Sequence, residues 1–156
     1  MEITGACDCG KIRWRARERP QRVSHCHCET CRRTTGAVAA TLARFAADAI
    51  AWEGTPRRYR SSEFAFREFC PDCGSSLTFR VNDRPEAVYI AVGSMDDPSL
   101  CPAERHSWAR SRIAWLHLDE HLPSSETWLE PPAAAPPDGW RRDADPSQPD
   151  KSQPDK

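Results

Sequence analysis

Ile3-Thr4-Gly5-Ala6-Cys7-Asp8-Cys9-Gly10-Lys11-Ile12-Arg13-Trp14-Arg15-Ala16 is the stretch from which the architecture follows. Its flanks, residues 3–7 and 11–16, carry strand-forming residues around Cys-Asp-Cys-Gly, so the segment reads as a tight hairpin. On a regular strand a Cys-x-Cys pair sends its sulfurs to opposite faces. Both reach one metal only where the strand breaks, and Gly10 supplies the breaking residue. A folded-over turn holding two thiols is therefore expected at the hairpin tip.

Outward from that hairpin, residues 22–25, 38–42, 50–52, 57–59, 64–69, 76–80 and 87–92 read as further short strands. They carry β-branched and aromatic residues between Gly, Pro, Asp and Ser punctuation. Many short strands at this spacing imply a mainly β domain, an antiparallel sandwich or curled sheet with little helix. Residues 28–34 suit one helical turn, and residues 112–121 fit either a strand or a short helix. The domain is expected over residues 1–130. Beyond it, Pro131-Pro132-Ala133-Ala134-Ala135-Pro136-Pro137 and a twice-written Ser-Gln-Pro-Asp-Lys have almost nothing to bury, so residues 131–156 read as a disordered tail. Trp140 is the one tail residue suited to docking back.

The 156 residues include 22 Lys+Arg against 23 Asp+Glu, a net charge of -1 with both signs spread along the chain. No basic block marks a nucleic-acid or membrane surface. The first residues lack the basic and apolar regions of a secretory signal, and no stretch is long enough to span a bilayer, so a cytoplasmic location is expected. There is no Gly-rich phosphate loop and no Gly-x-Ser-x-Gly elbow, which argues against nucleotide-driven chemistry and a serine hydrolase.

Eight cysteines remain to be explained, in three clusters and a singleton: Cys7 and Cys9; Cys26, Cys28 and Cys31; Cys70 and Cys73; and Cys101. In a reducing compartment clustered thiols are metal ligands rather than disulfides. Zinc takes thiolates in tetrahedral geometry, and a Cys-x-x-Cys knuckle supplies two sulfurs from one turn, here shaped by Pro71 and Gly74. The turns at Cys7/Cys9 and Cys70/Cys73 can combine into a closed four-sulfur site. Cys26, Cys28 and Cys31 then offer three thiolates from one loop, leaving a fourth position open as in a catalytic zinc site. A second possibility is that both metals are structural, with His25 or His27 completing the second site. His27 suits hydrogen bonding within its loop, His117 and His121 suit a surface turn, and Cys101 suits packing as a small buried hydrophobe. Trp108 and Trp115 are candidates for a pocket wall.

In order, Cys-x-Cys-Gly, Cys-His-Cys-x-x-Cys-Arg and Phe-Cys-x-x-Cys-Gly resemble the glutathione-dependent formaldehyde-activating enzyme family, also called centromere-protein-V-like. Val92-Gly93-Ser94-Met95-Asp96 with Pro98, then His106, Trp115 and Leu122-Pro123, look like that family's later segments, so the resemblance spans residues 5–123. It implies an Mss4-like β fold, a structural zinc on Cys7, Cys9, Cys70 and Cys73, and a catalytic zinc on Cys26, Cys28 and Cys31. The implied activity is that of a carbon–sulfur lyase joining glutathione and formaldehyde into S-hydroxymethylglutathione. Arg32 and Arg33, directly after Cys31, become candidates to pair with the two glutathione carboxylates, against a plainer role as a solvated pair beside the thiolates. Two other function classes stay in view: a non-catalytic zinc module that binds a protein partner, and a redox protein whose Cys26, Cys28 and Cys31 cycle through disulfides.

Overall fold

A computed structural model describes residues 2–131 and 133; most of the tail expected over residues 131–156, with Trp140, lies outside the described residues. The chain is mainly β. Among the described residues, its strands are β1 (Ile3–Ala6), β2 (Arg13–Ala16), β3 (Arg22–Cys26), β4 (Ala40–Ala46), β5 (Ile50–Glu53), β6 (Arg57–Ser62), β7 (Ala65–Phe69), β8 (Ser76–Val81), β9 (Ala87–Ala91) and β10 (Arg105–Ser107), with one short α-helix, α1 (Glu29–Thr35). They form a three-stranded sheet ordered β1-β2-β5 and a seven-stranded sheet ordered β10-β3-β4-β9-β8-β7-β6.

Period-two patterning decides which side of each strand is buried. On β2, Trp14 and Ala16 are buried while Arg13 and Arg15 face solvent. Trp14 and Ala16 join Ile3 and Ile50 of the small sheet, and Val23, Ala43, Phe45, Val88 and Ile90 of the large one, in a single core between the sheets. The cross-strand pairs Ala43↔Ile90 and Phe45↔Val88 stack its centre. Cys101 is buried in the same core, as expected of a small apolar side chain, and burial pushes its thiol pKa up.

The other face of the large sheet carries a different cluster. Ala40 and Leu42, alternating with Ala43 and Phe45 along β4, turn away from the core toward Cys26, Cys31 and Trp108. One strand thus supports the core on one side and the cysteine loop on the other.

Several expected boundaries shift. β1 ends at Ala6 and β2 starts at Arg13, because Cys7 to Ile12 are taken up by the turn. β4 runs from Ala40 to Ala46 rather than over residues 38–42, with Val38 exposed ahead of it. Residues 112–121 are neither strand nor helix. They turn through Asp119, whose φ is +40°, and the Arg112 guanidinium donates to the Leu118 carbonyl. Not every strand pair is antiparallel: β10 pairs parallel with β3, aligning Ser107 with Cys26. Beyond β10 the backbone returns, with Ser125 N donating to His106 O and Trp108 N to Thr127 O. That return carries Trp128, Leu129 and Glu130 across the face of the sheet away from the core.

Candidate active site

The hairpin tip folds as its sequence requires. Gly10 N donates to Cys7 O at 2.9 Å, and Gly10 has φ +73°, a conformation in which a side chain would be strained. The second knuckle follows β7 in the same way, with Gly74 N donating to Cys70 O and Gly74 at φ +77°. The two turns bring Cys7, Cys9, Cys70 and Cys73 together, with all four sulfurs within 4.8 Å of one another. Sulfur separations of 3.5 Å for Cys7–Cys9 and 3.8 Å for Cys9–Cys70 are close to the edge of a tetrahedron with 2.3 Å zinc–sulfur bonds, about 3.8 Å. Around the cluster, Ile12 N donates to the Cys7 sulfur at 3.3 Å, and hydrogen bonds from Ser75 draw the Cys73 pKa down to about 6.

The second cluster sits where β3 runs into α1. Cys26 ends the strand, Cys28 caps the helix by accepting from Cys31 N at 3.3 Å, and Cys31 lies one turn in. Their three sulfurs also lie within 4.8 Å of one another. Hydrogen bonds with Cys28 and Cys31, with burial, push the Cys26 thiol well above its usual range. The bond to Cys26 lowers Cys28, but Cys31 and burial outweigh it and push it up to about 12. Hydrogen bonds from Cys26 and Cys28, followed by the charge of Arg67, hold Cys31 well below the ordinary thiol value. Three sulfurs this close cannot all ionise without a cation among them. The donor set therefore fits a thiophilic ion such as zinc, with three protein ligands rather than four.

Arg67 has no counterpart among the expected site residues. It lies on β7, is 4% exposed, donates from Nη2 to Cys31 Sγ at 3.3 Å and stacks 4.8 Å from the Phe79 ring centre. The available hint was a charged residue inside a strand of aromatics, three positions before Cys70, where burial demands a partner.

Cys26, Cys28, Cys31 and Arg67 form one wall of a cavity of about 540 Å³. Its apolar walls include Leu42, Phe64, Phe79, Trp108 and Trp128, and its polar rim includes Arg22, Arg32, Arg110 and Glu130. None of Cys7, Cys9, Cys70 and Cys73 lines it. Arg32 does, although its Nη1 already donates to the carbonyls of His27 and Ser111. Arg33 does not line it; this exposed side chain pairs with Glu29 at 2.6 Å. Trp108 is a wall residue, held at φ +58° and packed edge-on against Trp128 at 5.1 Å, whereas Trp115 is 66% exposed.

Among the described residues, no histidine joins either sulfur cluster. His106 Nε2 lies 3.0 Å from the Asp119 carbonyl, which can only accept, so the proton sits on Nε2 and Nδ1 is an acceptor. His27 Nε2 then donates to that Nδ1 at 2.9 Å. Burial, then the neighbouring charges, lowers the His27 pKa to about 4, so the His27 ring is neutral. His25 bonds Thr41 and Asp119. These contacts fix the loop between Cys26 and Cys28 from behind. His117 is exposed and pairs with Glu120, in keeping with the surface turn expected there.

Comparison with known proteins agrees with the motif order. The model of a family described as glutathione-dependent formaldehyde-activating enzyme matches residues 2–111. An uncharacterized lyase of Schizosaccharomyces pombe is 30% identical over 89 residues, which are 57% of this chain and 65% of that protein, so the chain spans just under two thirds of it. A Halomonas elongata protein, provisionally named a glutathione-dependent formaldehyde-activating enzyme, is 26% identical over 129 residues, covering 76% of this chain and 82% of that one. A crystal structure of a Rhodobacter sphaeroides protein aligns with a TM-score of 0.49 at 22% identity, covering 60% of this chain and 87% of that chain.

Proposed function

The chain belongs to the glutathione-dependent formaldehyde-activating enzyme family, and from that premise we propose that it is a zinc-dependent carbon–sulfur lyase of thiol–aldehyde adducts. Cys7, Cys9, Cys70 and Cys73 hold a structural zinc, and Cys26, Cys28 and Cys31 hold the catalytic one. The thiol is glutathione and the reaction type is its reversible addition to an aldehyde, of which formaldehyde is the family's named case. The observation that carries this reading is the difference between the clusters. Four sulfurs complete a tetrahedron, whereas the set of three forms part of the wall of a cavity large enough for a small peptide.

Zinc held by the three sulfurs would supply the positive charge that keeps a substrate thiol ionised at neutral pH. The protein's own side chains account for the rest. Arg67 offsets part of the negative charge gathered on Cys26, Cys28 and Cys31. Arg32 and Arg110 put positive charge on the cavity wall, where a tripeptide thiol would bring its two carboxylates, while the charge of Arg22 is already matched by Glu130. Arg33 belongs to this set only if its pair with Glu29 opens. In the addition, the thiolate pair forms the C–S bond, the carbonyl π pair moves to oxygen, and that oxygen takes a proton from water, which the proton released by the thiol replaces. The walls fix the two reactants relative to each other and limit the water around them.

Exchange NMR on glutathione and formaldehyde tests the reading, with zinc-loaded protein and a Cys28→Ser variant. The adduct forms unaided, so the quantity to read is the excess exchange rate. Excess exchange with the intact protein, lost in the variant, is the expected result. Equal exchange in both would overturn the catalytic role of the three-sulfur site. Recovery of zinc-free protein with a Cys26–Cys31 or Cys28–Cys31 disulfide under reducing conditions would favour the redox reading instead.

A further inference from the structure

The cavity beside the three cysteines is built for more than two carboxylates and a one-carbon aldehyde. Cys26 and Cys31 belong to a continuous apolar cluster with Ala40, Leu42 and Trp108, against which Phe79, Tyr89 and Trp128 pack. The apolar surface therefore reaches the ligand sulfurs themselves, next to the reacting atoms, and is not confined to a distant rim. The arginines that suit glutathione's carboxylates are a separate set of wall residues. Formaldehyde has two heavy atoms and can bury almost nothing against such walls.

Part of this surface lies outside the family match, which stops at residue 111. Trp128 arrives on the returning segment that pairs with β10, and its ring packs edge-on against Trp108 at 5.1 Å and Phe64 at 5.6 Å. Glu130, two residues later, is gripped by Arg22 at 2.8 Å and Arg84 at 3.2 Å. The segment is thus tied at both ends, and the aromatic wall it adds is fixed in place rather than fortuitous.

Resting on the thiol–aldehyde reading above, we propose that the aldehyde handled at this site carries a bulky apolar or aryl group, which lies against Trp108, Trp128, Phe79 and Leu42. Its carbonyl carbon would meet the thiol sulfur beside Cys26, Cys28 and Cys31, and its ring would replace water along the aromatic wall. Transfer of an aryl group from water to such a wall is worth about tenfold or more in affinity.

The test needs no turnover. S-methylglutathione and S-benzylglutathione are stable thioethers that mimic the adducts of a small and an aryl aldehyde. Their affinities for the zinc-loaded full chain are measured by calorimetry. The expected result is that the benzyl thioether binds at least about tenfold more tightly, and that Trp128→Ala removes most of the difference between the two thioethers. Equal affinities in the unaltered protein would overturn the proposal, whatever the variant does. A preference for benzyl that survives both Trp128→Ala and Leu42→Ala would overturn the assigned wall. Excess exchange with glutathione and formaldehyde bears on the general reading alone: a protein that shows it but does not distinguish the thioethers keeps the function and loses the aryl preference.

Discussion

Replacing Arg67 should weaken one metal site and spare the other. The guanidinium is 4% exposed and gives Cys31 a hydrogen bond of 3.3 Å from a group that stays charged. Charge-assisted hydrogen bonds of this kind contribute about 1.5–3 kcal/mol, and outer partners of metal ligands typically change metal affinity by about 10–100-fold. The two figures agree, since each tenfold corresponds to about 1.4 kcal/mol. Arg67→Met keeps an apolar stem against Phe79 while removing the charge, so it should weaken one zinc of two by about 10–100-fold. The zinc proposed for Cys7, Cys9, Cys70 and Cys73 would serve as the internal control. Competition against a chromophoric chelator, with two resolved zinc equivalents, reads both affinities in one titration. Arg67→Lys should recover part of the loss, since it keeps the charge without the planar fork. If Arg67→Met leaves both affinities unchanged, or weakens both equally, the buried arginine is not an electrostatic partner of Cys31.

Three further outcomes are expected. Cys70→Ser should release the hairpin from the end of β7, and a protein with that site emptied should lose cooperative thermal unfolding, because structural zinc binding is largely folding free energy. His106→Phe leaves His27 Nε2 without its acceptor inside the fold and should cost about 1–3 kcal/mol in urea unfolding while both zinc ions are retained. Glu130 is held below the usual carboxylate range first by its hydrogen bond from Arg22, then by that charge and those of Arg44 and Arg84. A lowered folded pKa contributes stability that is present above the unfolded value near 4.3 and is lost as pH falls through the folded value. Glu130→Gln should therefore destabilise at pH 7 by no more than about 1 kcal/mol, since the carboxylate is 40% exposed and screened, and the difference from the unaltered protein should shrink below about pH 4.

The strands were legible where alternation is local. Trp14 and Ala16 against Arg13 and Arg15 give β2 its buried face without reference to anything distant. The knuckles were legible for the same reason, because Gly10 and Gly74 fix their turns within four residues. β10 was not, since Arg105-His106-Ser107 has neither apolar alternation nor β-branched residues and is a strand only because β3 lies beside it. Arg67 and Trp128 escaped notice for a related reason. Their importance depends on pairings across 36 residues to Cys31 and 20 residues to Trp108, and no local pattern encodes either. Arg32 and Arg33 stood out by adjacency to Cys31, yet helix geometry turns them apart, Arg32 onto two carbonyls and Arg33 onto Glu29.

Zinc-edge X-ray absorption on the purified protein, without and then with glutathione, tests most directly whether one site is closed and one open. Seven clustered cysteine sulfurs shared by two ions should give a mean sulfur coordination of about three and a half, rising to about four when the thiol is added. A mean already at four before the thiol, or one that does not change when it is added, would contradict an open three-sulfur centre.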